Sequence, residues 1–499
     1  MANIPAIVGF GGLNDWLIPG SNPRLTRFLD NVVVSKGRVL GRGGNGKFRN
    51  ITAASGTTPI IGLMPWVQSD LTTAVLRMTP TAVHKLNTST DVWDDVTGTA
   101  LNGTSATLPQ WVNHKGVLIL TNEGKDQLRK YTGTGNTATL GGTPPYAKTV
   151  ADYYGFLMAG NVSSDGITFN ATQILYSPDY DVDWSSCNGN EINLNETPGA
   201  ILAMRRLGRS LPVYKSDTVM LVRFTGTSPV RFTQEEYALH KGILAPLSLN
   251  DVAERGQIFL ATDYELYNNQ GPTIVALPPN VQRKLQETMD ASKAHLCMGI
   301  TTYEDEAYHL FYPSAASTWL VGRISYNFRT GEFYHATYTG QEFIRVLAFK
   351  FSRGVAEQLI ASTTDLVYEL DTTAINDDGT AVSRYYELDW NHGGSEVPSP
   401  FRGARFIFKR AKGARVRISM ASDFRETFYY EQTFDLRGNP GEETVICDYL
   451  PPQTVECVWL NMKIRFFHDV AAVKSELRAV LPIPEEPVSQ ADHKAGAVV

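Results

Sequence analysis

The feature that most constrains this chain is a recurring pair of short apolar strands separated by a polar turn. It appears as AVLRMTPTAVHKLN around Val75, GVLILTNEGKDQLRKYTG around Val117 and YGFLMAGNVSSDGITF around Phe156. It returns as LPVYKSDTVMLVRFTG around Val213, QIFLATDYELYNNQG around Ile258, AYHLFYPSAASTWLVGRISYNFRTGEFY around Tyr308 and EQLIASTTDLVYELD around Leu359. Anchors spaced roughly 40 to 60 residues apart match the period of four-stranded propeller blades. A small twisted sheet cannot bury both faces alone, and radial stacking lets each neighbour cover one. The repeat predicts an all-β chain whose residues 51–375 form a β-propeller of six or seven blades. A long series of β-sandwiches would give similar strands. Helical periodicity is confined to Val281 to Ala294 (VQRKLQETMDASKA), a short amphipathic helix after the Pro278-Pro279 break.

Past Asn376 the rhythm changes to longer alternating strands: FRGARFIFKRAKGARVRISMAS, FYYEQTFDL and TVECVWLNMKIRFF. Val416, Ile418 and Met420 alternate with Arg415 and Arg417, the pattern of a half-buried strand with one charged face. Residues 376–481 are expected to form a β-sandwich-like module, or a final blade enlarged by extra strands. The Pro-rich residues 482–499 read as a mobile tail, and residues 1–50 as an extended docking segment.

Charged residues are 19% of the 499-residue chain, against about 25% for an average soluble protein, and aromatics are 10%. That balance argues against disorder and against a protein that coats nucleic acid. The four Cys (Cys187, Cys297, Cys447, Cys457) include no CxxC pair, so buried reduced thiols are expected rather than a zinc ribbon or a disulfide scaffold. The start, MANIPAIVGFGGLNDW, lacks a basic segment followed by an apolar run, and no stretch suits a membrane span. A cytosol-like site of synthesis and residence follows as the expectation.

Three patterns invite chemical readings. Gly41 to Lys47 (GRGGNGK) has the spacing of a phosphate loop, but Phe48 stands where the magnesium-holding hydroxyl belongs and no helix follows. A Gly-rich turn with solvated basic residues is the expectation there. Ser177 to Trp184 (SPDYDVDW) imitates a calcium loop, yet Trp184 replaces its glycine; it also partly matches the Asp-box turn of sialidase-like propellers. Asp179, Asp183 and Trp184 are therefore expected to build a structural turn, as are Gly242 and Pro246 in the GILAPLS stretch. The nine His show no HExxH or HxH pairing and no GxSxG occurs, so no enzyme activity, cofactor or metal is expected. Two basic clusters remain, Arg24, Arg27, Arg38 and Arg42 with three neighbouring cations, and Arg402, Arg405, Lys409, Arg410, Arg415 and Arg417 with Lys412. In a chain of net charge −6 they read as docking patches for a partner protein rather than for nucleic acid at large.

The order of features resembles a known family. NVVVSKGRVLGRGG from Asn31, ILYSPDYDVDWSS from Ile174, PGAILAMRRLGRSLPVYKSDTVMLVRFTG from Pro198 and HKGILAPLSLNDVAERGQIFLATDYELYNNQG from His240 follow one another as in the tail hub or nozzle proteins of short-tailed bacteriophages. Pro198-Gly199-Ala200-Ile201, Gly242 to Ser248 and Glu265-Leu266-Tyr267 occupy that family's marker positions, over roughly residues 25 to 370. Gly41-Arg42-Gly43-Gly44 departs from the family's Arg-Pro-Gly, and the C-terminal module matches only in its β character. The resemblance implies a structural virion protein of the tail, assembled in the host bacterial cytoplasm. It implies a homo-hexameric ring below the portal, an adaptor ring protein above, fibres or spikes at its side, and genomic DNA passing without sequence-specific binding. A net negative wall repeated by six copies would let DNA slide. The competing expectation is a glycan-binding or sialidase-like propeller, which would need an arginine cluster and a Tyr/Glu pair in one pocket.

Overall fold

In the computed structural model the described residues are 7–483, without 9, 15–25, 27, 37, 51–57, 69–71, 178–183, 185–189, 227–230, 253–254, 272, 279–280, 304, 339, 351–355, 371–373, 375, 392–398, 423–426, 440, 454, 458 and 469–475. They form two β modules.

The first is a seven-bladed propeller. Blade 1 comprises Gly62–Val67, Thr73–Met78, Val83–Asn87 and Val92–Asp95; blade 2 comprises Gln110–His114, Val117–Thr121, Arg129–Tyr131 and Ala138–Thr139. Blade 3 is Tyr146–Tyr153, Phe156–Ser163, Asn170–Tyr176 and Glu191–Asn193, and blade 4 is Ile201–Met204, Ser210–Lys215, Thr218–Phe224 and Phe232–Leu239. Blade 5 holds Asn250–Val252, Gly256–Leu260, Leu266–Asn269 and Ile274–Ala276; blade 6 holds Met298–Thr302, Ala307–Pro313, Leu320–Asn327 and Phe333–Thr337. Blade 7 takes three strands from Phe343–Lys350, Ala356–Ser362 and Val367–Glu369, and its fourth from Gly46–Lys47 near the other end of the chain. The circle closes where Phe343–Lys350 meets Gly62–Val67.

Alternation along the strands explains the stacking. In blade 2, Leu118 and Leu120 pack with Met64, Trp66 and Leu76 of blade 1, whereas Ile119 between them packs with Ala147, Leu157 and Trp184 of blade 3. The same arrangement recurs around the ring. Tyr153, Phe156 and Met158 meet Ile201, Val213 and Phe232 between blades 3 and 4, and Tyr214 and Val219 meet Phe259 and Tyr267 between blades 4 and 5. Met298 and Phe311 meet Phe343 and Ile360 between blades 6 and 7; Leu347 and Leu359 meet Leu63 and Val75 across the closure. Six of the interfaces are separate apolar clusters, and the seventh, between blades 5 and 6, merges with the core of the second module, so the hydrophobic effect acts around the circle and not on one central core.

The second module is a sandwich of a six-stranded and a five-stranded sheet. One runs Val32–Ser35, Arg38–Gly41, Glu476–Pro482, Ala404–Lys409, Thr444–Tyr449, with Ile7–Val8 also paired to Glu476–Pro482. The other runs Leu29–Asp30, Arg384–Asn391, Trp459–His468, Ala414–Ser422, Tyr429–Asp435. Phe406, Phe408, Leu477 and Val480 of the first sheet interleave with Leu388, Val416, Ile418, Met462, Ile464 and Phe466 of the second. Residues 1–50, expected as an extended docking segment, thus supply strands to both sheets and one strand to blade 7. Their apolar runs find partners more than four hundred residues away, as in Ile7 opposite Val480. The expected helix is Gln282–Thr288, followed by a tight turn over Ala291–Leu296; Leu285 buries its apolar face in the core shared by the sandwich and blades 5 and 6. The tail from residue 484 lies outside the described residues.

The modules are joined by a buried polar knot. Arg42 is 1% exposed and its five N–H groups are all engaged. Nε donates to Asn31 Oδ1 at 2.6 Å, Nη1 to Gly43 O at 2.8 Å and Asp377 Oδ1 at 3.0 Å, and Nη2 to Asp377 Oδ2 at 2.6 Å and Thr337 O at 3.2 Å. Its guanidinium stacks 4.7 Å from the Tyr338 ring centre. Beside it, Asp30 of the sandwich accepts from Thr337 Oγ1 and faces His335 Nδ1 at 3.1 Å, both on the outer strand of blade 6.

Candidate functional site

Seven first strands converge on the propeller axis and enclose a cavity of about 460 Å³. Apart from one bridge between Phe343 of blade 7 and Leu320 of blade 6, each of these strands is bonded to a neighbouring strand on one side only, so backbone amides and carbonyls are available to the channel. Side chains add Gln110, Asn113, Asp152, Arg205, Arg206, Asn250, Asp251 and Thr301 to an apolar wall that includes Trp111, Leu247 and Met298.

Local structure fixes most of these groups. Between blades 4 and 5, Pro246 opens a tight turn over Pro246–Ser248, its ring supplying a backbone angle suited to a first helical residue. Ser248 Oγ accepts from Leu260 N–H and donates to Ala245 O, anchoring the turn against blade 5. Gly242 precedes it; a Cβ there would lie 1.9 Å from Ser216 O, so no side chain fits. Arg205 Nε then meets Asp251 Oδ2 at 2.7 Å, and its Nη1 donates to Leu249 O at 2.9 Å. Gln257 Nε2 donates to the other oxygen of Asp251 at 3.0 Å. Arg206 lies 5.1 Å from the Tyr154 ring centre with Nε donating to Gly208 O. Asp152 contacts Nδ1 of the buried His114, and Gln110 bridges Thr149 Oγ1 and Leu202 O. Thr301, 8% exposed, has a hydroxyl without a protein hydrogen-bond partner.

Chemically this is a cavity for water or a small polar solute. Its lining residues include no Tyr, Glu, His, Ser, Cys or Lys. Two arginines, Arg205 and Arg206, line it, but the Tyr/Glu pair that a sialidase-like site would set beside an arginine cluster is not among these residues. Among the described residues no group of three or more His, Cys, Asp or Glu is placed to hold a metal. Composition and spacing gave no warning of Arg205, Arg206, Asp152 or Asp251. The signal available was position, because each stands at or just past the end of a blade's first strand.

The basic clusters are distributed differently from their order in sequence. Arg42 is interior, which removes it from any docking surface: Asp377, Asn31 and two carbonyls consume its donors. Arg38 pairs with Glu476 at 3.0 Å. Ala404, Phe406 and Phe408 face the core, so alternation puts Arg405 and Lys409 on the outer face of the first sheet, where Arg405 grips Asp448 through Nε at 2.7 Å and Nη2 at 2.9 Å. Arg410 donates to Arg437 O, and Arg402 is exposed just before the strand. Arg415 and Arg417 project from the second sheet instead, and Arg417 meets Glu431 at 3.4 Å. The 402–417 cluster is therefore split between two opposite faces, and Arg405 and Arg417 are each paired with a carboxylate. Arg24 and Arg27 lie outside the described residues.

The other expected turns are placed as follows. Trp184 is fully buried between blades 2 and 3; its N–H donates to Gly141 O and its carbonyl accepts from Thr143 N–H. Asp179 and Asp183 lie outside the described residues. Gly41 to Lys47 leads from a sandwich strand to blade 7, and Asn45 N–H donates to Asp377 Oδ1. Cys297 and Cys447 are buried free thiols, and burial pushes the Cys447 thiol up to about 12.

No protein-family model matches the chain, and no curated protein matches it. Among solved structures the chain is similar to BBS1N in complex with ARL6DN, at 10% identity over 66% of this chain and 96% of that one, with a TM-score of 0.37. A second structure of that complex gives 11% identity, 70% and 99% coverage and 0.38. The extracellular domain of the hybrid two component system BT4673 from B. thetaiotaomicron gives 10% identity, 74% and 44% coverage and 0.35. Likeness at these scores carries no argument about what this chain does.

Proposed function

We propose that this chain is a structural subunit of a short-tailed bacteriophage tail, a hub or nozzle that assembles as a homo-hexameric ring. The observation that carries the reading is the way the two modules are locked together. Strands from both chain ends build the sandwich, one of the same lead-in strands closes the propeller, and a fully engaged buried arginine spans the joint. Such a body transmits force without hinging, which suits a subunit held between an adaptor ring and lateral fibres or spikes. The order of sequence features shared with tail hub proteins supports the same reading.

The cavity size adds a constraint. The space of about 460 Å³ inside one propeller, walled by Trp111, Leu247 and Met298 among others, has the size of a small-molecule cavity. In this proposal genomic DNA runs along the axis of the ring, outside every propeller. Assembly takes place in the host bacterial cytoplasm and the finished protein resides in the virion tail. Among the described residues no helix is long and apolar enough to cross a membrane.

The test is the native mass of the purified chain, alone and with its adaptor ring, followed by particle averaging. Sixfold rings are expected. A compact single copy that persists with the adaptor ring present refutes the proposal.

A further inference from the structure

We propose that the cleft between blades 6 and 7 is a binding site for a neutral sugar unit. It encloses about 450 Å³, within the range of about 300–1,000 Å³ typical of small-molecule sites. The site is built by the connection from blade 6 to blade 7 and by the turn between the second and third strands of blade 7. Gln341 and Glu342 come from the first, Thr363 and Thr364 from the second, and Tyr338 and Tyr368 stand at its wall.

A pair of buried carboxamides points to a ligand. Asn45 is 1% exposed and Gln341 8%; Asn45 Nδ2 donates to Gln341 Oε1 at 3.0 Å. That single bond leaves Asn45 Oδ1 and Gln341 Nε2 without protein partners. Turning both amides over exchanges the atoms but still leaves one carbonyl and one NH₂ unanswered. Polar groups so deeply buried are costly unless satisfied. Of the two, Gln341 lines the cleft and Asn45 backs it, so a ligand hydroxyl, which both donates and accepts, can answer the Gln341 end of the pair.

The rest of the lining selects the class. Tyr368 stands at the wall as an aromatic ring, Thr363 and Thr364 offer hydroxyls, and Glu342 is a carboxylate acceptor exposed at the rim. No Lys, Arg or His lines the cleft, so nothing there compensates an anionic ligand beside Glu342. Tyr338 is 2% exposed, with the Arg42 and Arg323 guanidinium groups and the Phe311 ring against it, so it backs the wall and these cations disfavour a cationic ligand beside it. A pyranose, with one apolar face and a girdle of hydroxyls, fits these demands. The inference does not depend on ring assembly.

The experiment is saturation-transfer NMR on the full chain with glucose, galactose and N-acetylglucosamine, and N-acetylneuraminic acid as the anionic comparator. At least one neutral sugar should give a saturable signal. Gln341→Leu and, separately, Glu342→Arg should each weaken it about tenfold. Glu342 is exposed, so Glu342→Arg keeps the fold even where Gln341→Leu disturbs it. The proposal is overturned if no neutral sugar binds, if only the anionic sugar binds, or if both variants bind as the parent does. A high-resolution map in which ordered water alone fills the cleft in the presence of saturating sugar also overturns it.

Discussion

Replacing Asp377 with alanine should be among the most damaging single changes available in this protein. The side chain is 2% exposed and supplies two of the five acceptors around Arg42, as well as one for the Asn45 amide. Its removal leaves a guanidinium 1% exposed to solvent with a side-chain amide and two backbone carbonyls as its remaining acceptors. Breaking one side of a buried ion pair typically costs about 3–5 kcal/mol, because the surviving charge stays out of water. For a domain of this size each kcal/mol moves Tm by about 2–4 °C, so the transition should fall by roughly 6–20 °C in scanning calorimetry. The double variant Arg42→Met with Asp377→Leu removes both charges and should recover more than half of that loss. A fall below about 2 °C for Asp377→Ala, or a double variant worse than the single one, would refute the idea that this pair locks the two modules.

Other outcomes follow from local geometry. Asp165 accepts from Ser163 Oγ and from the Ile167 and Thr168 amides, which hold its carboxyl down at about 2. A depressed carboxylate contributes stability above its ordinary pKa of about 3.9 and loses it as pH falls through the folded value. The 163–168 turn should therefore stay intact by NMR until pH nears 2, and Ser163→Ala should raise the measured Asp165 pKa. Gly242→Ala should cost about 1–3 kcal/mol in urea unfolding, since its Cβ would meet backbone at Ser216 O and not a movable side chain. Arg345 is buried with Nη1 and Nη2 bonded to Ile344 O and Thr107 O and no carboxylate in contact, and burial pulls its pKa down. Arg345→Met should then leave Tm unchanged or raised, in contrast to any change at Arg42. Deleting residues 1–47 should abolish soluble folded protein by size exclusion and circular dichroism, because blade 7 and both sandwich sheets lose strands together.

Much of the fold was legible because burial concentrates in one strand of each blade. The seven anchors, from Val75 to Leu359, all fall on second strands, such as Thr73–Met78 and Ala356–Ser362. A second strand is bonded on both sides and covered on both faces, so it must be apolar almost throughout. Outer strands such as Val92–Asp95 are mostly exposed and leave little trace. The fourth strand of blade 7 was illegible for a different reason. Gly46 and Lys47 carry no strand pattern, and their partners Glu369 and Tyr368 are more than three hundred residues away. Charge counted along the chain likewise ignores carboxylates delivered by distant strands. Asp377, Glu476 and Asp448 each reach a cation that looked unpaired in sequence. The cavity lining was hidden because a first strand shows the axis its edge as much as its side chains.

The wrapping of both chain ends into one sandwich sets a timetable for the ribosome. Ile7 is made more than four hundred residues before its partner Val480. At about 5–20 residues per second, that leaves the leading strands waiting roughly half a minute to a minute and a half. Throughout that interval their apolar sides and open edges are available to any neighbouring nascent chain. Crowded polysomes would make such encounters frequent, so yield of this protein should depend on holdase chaperones more steeply than its finished stability suggests.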